Sequence, residues 1–367
     1  MLNKILLAIL CVIGFAATAA ADVRITYDFE AARATLAAFD TPAITDAELT
    51  RIARLAGNQG LLAQQGKFDK VATEANFITS LRQMATTGTN APDTFAFNRV
   101  KRDLAATRAL LAMIESDPDG LTRALAERIS KYSPPGLKIE VNVRFIVGGT
   151  SDGFAPDAHT FYLALHYFGD DYEGLKVLMS HELFHNAQST ARGDKVFTRP
   201  SDPARIKASL DMLQNTLNEG TATLVGDPLP ITNGKKWITW FQGKFNNNLG
   251  RIDANFTLFD TLLYRLSGDP AADPSQIYYI GFTGTYDSPM YFVGYRMAKV
   301  IERHDGAGGI QKLIGDNPIK FFTRYIDLYN KYNDADAPHF SPSTEKIIHD
   351  LAKRLVRTGN GSDRVNP

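Results

Sequence analysis

The chain has 367 residues, of which 40 are basic, 40 acidic and 44% hydrophobic. This is ample for a packed core, and the balanced charge gives no electrostatic footprint for nucleic acid or an anionic membrane surface. A single cysteine, Cys11, excludes a disulfide framework, and no internal repeat, heptad run or low-complexity tract breaks the chain.

Residues 1–21 read as a secretory signal. Lys4 opens it, Ile5 to Phe15 is apolar and contains Cys11, and Ala19-Ala20-Ala21 offers a small-residue cleavage site before Asp22. The mature protein is expected to be exported, either periplasmic or secreted. No stable membrane insertion is expected, because the apolar stretch is shorter than the ~20 residues that span a bilayer.

Residues 22 to 132 read as helical, within an N-terminal lobe over 22–135. Ala31 to Phe39, Asp46 to Gln65, Val71 to Met84 and Phe95 to Ile114 carry apolar residues at helical spacing, with turn signals at Thr86-Thr87-Gly88 and Asp117-Pro118-Asp119-Gly120. Pro134-Pro135-Gly136 ends this region. Leu137, Ile139, Val141, Val143, Phe145 and Val147 then alternate with polar residues, as in a half-buried strand. After a loop with Gly148, Gly149 and Gly153, a second alternating run follows at Phe161, Leu163, Leu165 and Tyr167, and both strands are expected in one small sheet.

Asp170-Asp171 supplies helix-start chemistry for a helix over Tyr172 to Gln188. On its wheel Leu175, Met179 and Leu183 form one apolar stripe and Val177 with Phe184 another, so the helix is buried within a unit over 136–200. It carries His181-Glu182-Leu183-Phe184-His185, the H-E-x-x-H pattern of zinc hydrolases. Residues i and i+4 share a helix face with Cβ atoms about 5–6 Å apart, so two neutral imidazoles can converge on one metal ion. Glu182 sits about 100° round the helix, placed to accept a proton from the hydrolytic water. Two charged imidazoles would be costly on a buried helix, whereas neutral ones bound to a metal are satisfied.

Helices return over 201–367, at Ala204 to Val225, Trp237 to Gln242, Phe256 to Leu266, Tyr291 to Glu302, Ile310 to Ile314, Ile319 to Tyr332 and Thr344 to Val356. A catalytic zinc site needs a third protein ligand. Glu219, in Asn218-Glu219-Gly220-Thr221-Ala222, is the candidate. It points away from the stripe of Ile206, Leu210, Leu213 and Leu217, among small and polar neighbours that would let its helix approach the metal helix. That placement fits a ligand and an ordinary solvated glutamate equally. The order of elements makes the chain α+β and predominantly helical.

The two His-Glu segments together resemble the gluzincins, the zinc-peptidase clan that includes thermolysin and the aminopeptidase N group, whose third ligand is a glutamate on a downstream helix. Pro289-Met290-Tyr291-Phe292-Val293-Gly294 is similar to the aminopeptidase segment whose tyrosine, three residues before a glycine, stabilises the tetrahedral intermediate. The similarity runs from Phe161 to Ala298 and is closest to little-characterised bacterial zinc-peptidase families of this clan. It implies a zincin-like catalytic unit, with a small sheet and an active-site helix flanked by helical lobes. It further implies one Zn2+ per chain held by His181, His185 and Glu219, with Glu182 as general base, Tyr291 as oxyanion donor, and a peptide or protein as substrate. The gap from His185 to Glu219 is longer than in thermolysin and the glycine-rich exopeptidase signature is absent, so the cleavage mode stays open.

Two other functions fit the same residues: an inactive zincin-fold binding or scaffold protein, and a zinc hydrolase of non-peptide amides. Around the proposed centre, Tyr295 is the substitute phenol for Tyr291, and His166 and His304 are expected at the surface. Trp237 and Trp240 read as a core or interface pair. A substrate peptide is expected to pair with the edge of the strand Phe161 to Tyr167.

Overall fold

The computed structural model describes residues 20–359, with side chains to residue 354. The signal segment therefore lies almost wholly outside the described residues, as does Cys11.

The chain opens on a strand, β1 (Asp22–Asp28), followed by α1 (Glu30–Ala38), α2 (Asp46–Ala53), α3 (Ala56–Gln65), α4 (Glu74–Thr87), α5 (Phe97–Arg102), α6 (Leu104–Ser116) and α7 (Pro118–Tyr132). The expectation of an entirely helical start is corrected by β1. Val23, Ile25 and Tyr27 alternate with Arg24, Thr26 and Asp28, and the run pairs in parallel with β2 (Lys138–Ile146), Val23 opposite Ile139 and Tyr27 opposite Val143. Two long predicted helices are each divided, at Arg54-Leu55 and at Asp103. The turn signal at Asp117-Pro118 is instead a helix start: Asp117 Oδ1 accepts from the Gly120 N–H at 2.8 Å and Pro118 takes the first helical position.

β3 (Gly153–Asp157) and β4 (Thr160–Ala164) complete a mixed sheet of order β1-β2-β4-β3, in which β2 and β4 are parallel and β3 is antiparallel to β4. β4 is therefore an inner strand, buried from Phe161 through Ala164, and the substrate-pairing edge expected there belongs to β3. The run predicted as strand through Tyr167 turns into a 3-10 helix at Leu165–Tyr167. Helices α1 and α3 pack on one face of the sheet, and α7 and α8 (Tyr172–Arg192) on the other.

The remaining helices are α9 (Ala204–Val225), α10 (Lys236–Gly250), α11 (Ile252–Gly268), α12 (Pro274–Phe282), α13 (Pro289–Asp305), α14 (Ala307–Leu313), α15 (Pro318–Tyr332) and α16 (Pro342–Gly359). The fold is α+β and predominantly helical. One continuous apolar core runs from α1 through the sheet to α16. Among the described residues no helix is long and apolar enough to cross a membrane.

Candidate metal centre

Helix α8 is anchored at its start by the buried Asp171. One carboxylate oxygen accepts from the Gly174 N–H at 2.9 Å, capping α8, and the other from the Ile238 N–H at 2.8 Å, tying α10 to the same point. Leu175, Val177, Met179, Leu183 and Phe184 are all buried, so both apolar stripes are used and the helix has little rotational freedom. What remains for the histidines is the narrow polar strip between the stripes, which faces α9.

His181 Nε2 lies 3.3 Å and His185 Nε2 3.5 Å from the same oxygen, Glu219 Oε2. The ligand atoms of the three side chains all fall within 4.8 Å of one another. Bonds of about 2.0–2.2 Å in a tetrahedral zinc site put neighbouring ligand atoms about 3.3–3.5 Å apart, and the two His–Glu separations match that span. Glu219 Oε2 is buried without a hydrogen-bond partner, as an oxygen reserved for a cation would be. The two imidazoles and one carboxylate are the donor types zinc takes, so the residues present fit the ion. Burial disfavours a charged His185, but the Glu219 carboxylate outweighs it and lifts the His185 pKa to about 9. Glu219 is conversely held well below the usual carboxylate range, its desolvation overcome by the two imidazoles.

Gln188 supplies a residue that sequence reasoning missed. Its Oε1 lies 2.8 Å from His185 Nδ1, while its amide nitrogen donates to the Asn218 carbonyl and to Thr221 Oγ1, each at 2.7 Å. With Nδ1–H donating to Gln188 Oε1, Nε2 is the His185 nitrogen turned toward Glu219 and the one left to ligate a metal. The only sequence signal was a polar residue one turn beyond His185.

Helices α9 and α13 meet backbone to backbone. A Cβ at Gly220 would lie 2.2 Å from the Gly294 carbonyl carbon, and one at Gly294 would lie 2.1 Å from the Thr216 carbonyl oxygen. The close approach made possible by small residues on α9 thus involves α13, and it sets Tyr291, one turn before Gly294, beside Glu219. The Tyr291 ring stacks on His181 with centroids 5.8 Å apart and planes at 4°. Burial, then the Glu219 and Glu182 carboxylates, raise the phenol well above its ordinary pKa, so it stays protonated. Asp287 and Ser288, which both take positive φ immediately before α13, deliver Tyr291 to this position. Burial likewise raises the Glu182 carboxyl, against the pull of His181 and His185. His181, Glu182 and Tyr291 line a cleft of about 320 Å³ together with Asp152, Trp237 and Lys244.

A family model described as "Putative zinc dependent peptidase (DUF5700)" matches residues 49–334, most of the chain and all of the cluster. The chain belongs to this family. Neither a curated protein nor a solved structure matches the chain. Membership in a zinc-dependent peptidase family agrees with the donor set of His181, His185 and Glu219.

Five further side chains lie outside the ligand cluster. Tyr295 is not a free phenol, because it donates to Asp227 Oδ2 at 2.7 Å. His304 is half-buried against Tyr332, with Nε2 2.6 Å from Asp334 Oδ2, and is no loose surface residue. His166 is buried in the 3-10 turn after β4, because the strand ends before it. Trp237 is buried and lines the cleft, whereas Trp240 is exposed.

Proposed function

We propose that the protein is an exported metallopeptidase that binds one zinc ion per chain through His181, His185 and Glu219 and hydrolyses peptide bonds. The observation that carries this reading is the convergence of two imidazole nitrogens on one buried carboxylate oxygen that has no other partner, with His181 and Glu182 lining a cleft beside it. When bound, zinc supplies Lewis acidity to the scissile carbonyl and to the hydrolytic water. Glu182, its proton affinity raised by burial, takes the water proton and hands it to the leaving amine. Tyr291, kept protonated, donates a hydrogen bond to the oxyanion. The outer edge of β3 offers unpaired backbone groups to an extended peptide, which fixes the carbonyl relative to Glu182. Export rests on the signal pattern of residues 1–21.

Glu182→Gln is the direct test. The variant should bind one equivalent of zinc, as the parent does, and lose about 10²–10⁴ in turnover of a peptide library. Survival of activity removes Glu182 as the base. Failure of the parent to cleave any peptide would instead favour a binding role or a non-peptide amide as substrate.

A further inference from the structure

A second cavity, of about 560 Å³, opens at the N-terminal end of α8. The turn after β4 supplies His166, Tyr167 and Phe168 to it, α5 supplies Arg99, and α10 supplies Trp237 and Trp240. Asp152 and Trp237 line both this cavity and the metal cleft, so the two adjoin.

Two buried hydrogen-bond donors here lack an acceptor. His166 is 1% exposed, and its Nδ1 accepts from the Gly148 N–H at 3.3 Å. That contact puts the ring proton of the neutral imidazole on Nε2, which has no partner. Burial, helped by the Arg99 charge and only partly offset by the Gly149 backbone and the Asp103 charge, keeps this histidine neutral, with its pKa drawn down to about 3. Arg99, which forms no ion pair among the described residues, lies over the Tyr167 ring at 4.1 Å, and its Nε is also buried without a partner. Of the neighbouring acids, Asp103 pairs with Arg102 at 2.9 Å and Asp170 with Lys235 at 2.6 Å, whereas Asp152, its proton affinity raised by burial, accepts from the Gly153 N–H at 3.0 Å and feels the Arg99 charge from beyond ion-pair distance. Buried donors are nearly always paired. Two in one cavity, one of them on a permanent cation, call for an anionic acceptor from outside.

We infer that this cavity is a subsite for a substrate carboxylate, received by Arg99 and His166 while the adjoining chain lies against Trp237 and Phe168. A guanidinium and a neutral ring N–H bind a carboxylate without any proton changing place. About ten residues of α8 separate His181 from Asp171, roughly 15 Å at a rise of about 1.5 Å per residue. An extended chain covers that distance in about four residues. The carboxylate thus sits about four residues from the scissile bond, either as the C-terminus of a short peptide or as an acidic side chain. The link to cleavage rests on the metallopeptidase reading, whereas the binding does not.

Trp237 and Trp240 are the chain's two tryptophans and both line the cavity, so intrinsic emission reports occupancy without turnover. Full-length Glu182→Gln protein, zinc-loaded and again after dialysis against a chelator, is titrated with acetylated alanine pentapeptides. These end in a free acid or an amide, and a further amide series carries one glutamate at each position in turn. Carboxylate-bearing peptides should bind at least tenfold more tightly than the plain amide in both metal states, and an added Arg99→Gln should erase the difference. Preference for the free acid identifies a chain terminus, and preference for one glutamate position identifies a side chain. Equal binding of acid and amide overturns the inference, as does a preference that survives Arg99→Gln, one that vanishes with the metal, or no saturable change at all. If Arg99→Gln does not fold, the acid-against-amide comparison in protein retaining Arg99 still decides. Cleavage by the unaltered enzyme with no carboxylate preference would sink the subsite and leave the peptidase reading intact. Carboxylate binding without any cleavage would do the reverse.

Discussion

Gln188→Leu keeps the side-chain volume and removes both ends of the amide that links the two ligand helices. One end holds His185 Nδ1 at 2.8 Å, and the other holds the carbonyl of Asn218, the residue before Glu219, at 2.7 Å. Loss of a partner that orients a ligating histidine typically lowers metal affinity by about 10–100-fold, or about 1.4–2.7 kcal/mol. Because this amide steadies the backbone beside Glu219 as well as His185, the expected loss lies in the upper part of that range, about 30–100-fold. The metal-free protein should also lose about 1–3 kcal/mol, since His185 Nδ1 is left without an acceptor at a buried site. The Asn218 carbonyl, inside α9, and Thr221 Oγ1, which also donates to the Leu217 carbonyl at 2.9 Å, keep other partners. Zinc affinity is read by competition with a chromophoric chelator, and stability by urea unfolding of the metal-free protein. Gln188→Glu, which retains an acceptor for His185 but not the donor to Asn218, should recover part of the affinity. A zinc dissociation constant for Gln188→Leu within about twofold of the parent would refute the orienting role, being far below the loss expected of such a partner.

Tyr291→Phe should keep its zinc and its KM while kcat falls by about 10²–10³, the usual cost of one oxyanion donor; an unchanged kcat would remove the phenol from the reaction. Gly220→Ala places a Cβ 2.2 Å from the Gly294 backbone, so thermal unfolding should register a destabilisation of at least about 2 kcal/mol. Activity should fall in the same variant, because parting α9 from α13 moves Tyr291 away from Glu219; a melting temperature equal to the parent's would contradict the backbone contact. Glu302, on α13, accepts from Tyr132 at 2.5 Å and from Lys131 at 2.9 Å, both on α7. Burial raises its pKa, but these bonds and Lys299 more than compensate and leave it below the ordinary 4.5. A carboxylate lowered in the folded state stabilises above its unfolded pKa, and the contribution fades as pH falls through the folded value. The stability gap between the parent and Glu302→Gln should therefore be full at pH 7 and shrink below pH 4.5; urea midpoints that keep a constant gap down to about pH 3 would exclude this linkage.

The comparison of particular elements shows where local pattern suffices. His181, Glu182 and His185 belong to one helix, and the i to i+4 geometry follows from the helical repeat alone, so their convergence was legible in the sequence. So were α9, from Ala204 to Val225, and the alternation of β2. Strand β1 carries the same alternation, but it is short and followed directly by helical sequence, so its character shows only in its pairing with β2.

The third corner of the metal site was a different matter. A helical wheel states which side of α9 Glu219 occupies but not what lies opposite, and that is decided by Gly220 meeting Gly294 and by Gln188 reaching Asn218. The same limit hid the inner position of β4 and the buried, partnerless nitrogen of His166. Segment by segment, the sequence determined what each element must bury and which helix carries the paired imidazoles, because those properties depend on neighbours a few residues away. Only the tertiary structure decided which carboxylate completes the cluster and which donors are left unpaired, because those outcomes depend on contacts between residues far apart in the chain.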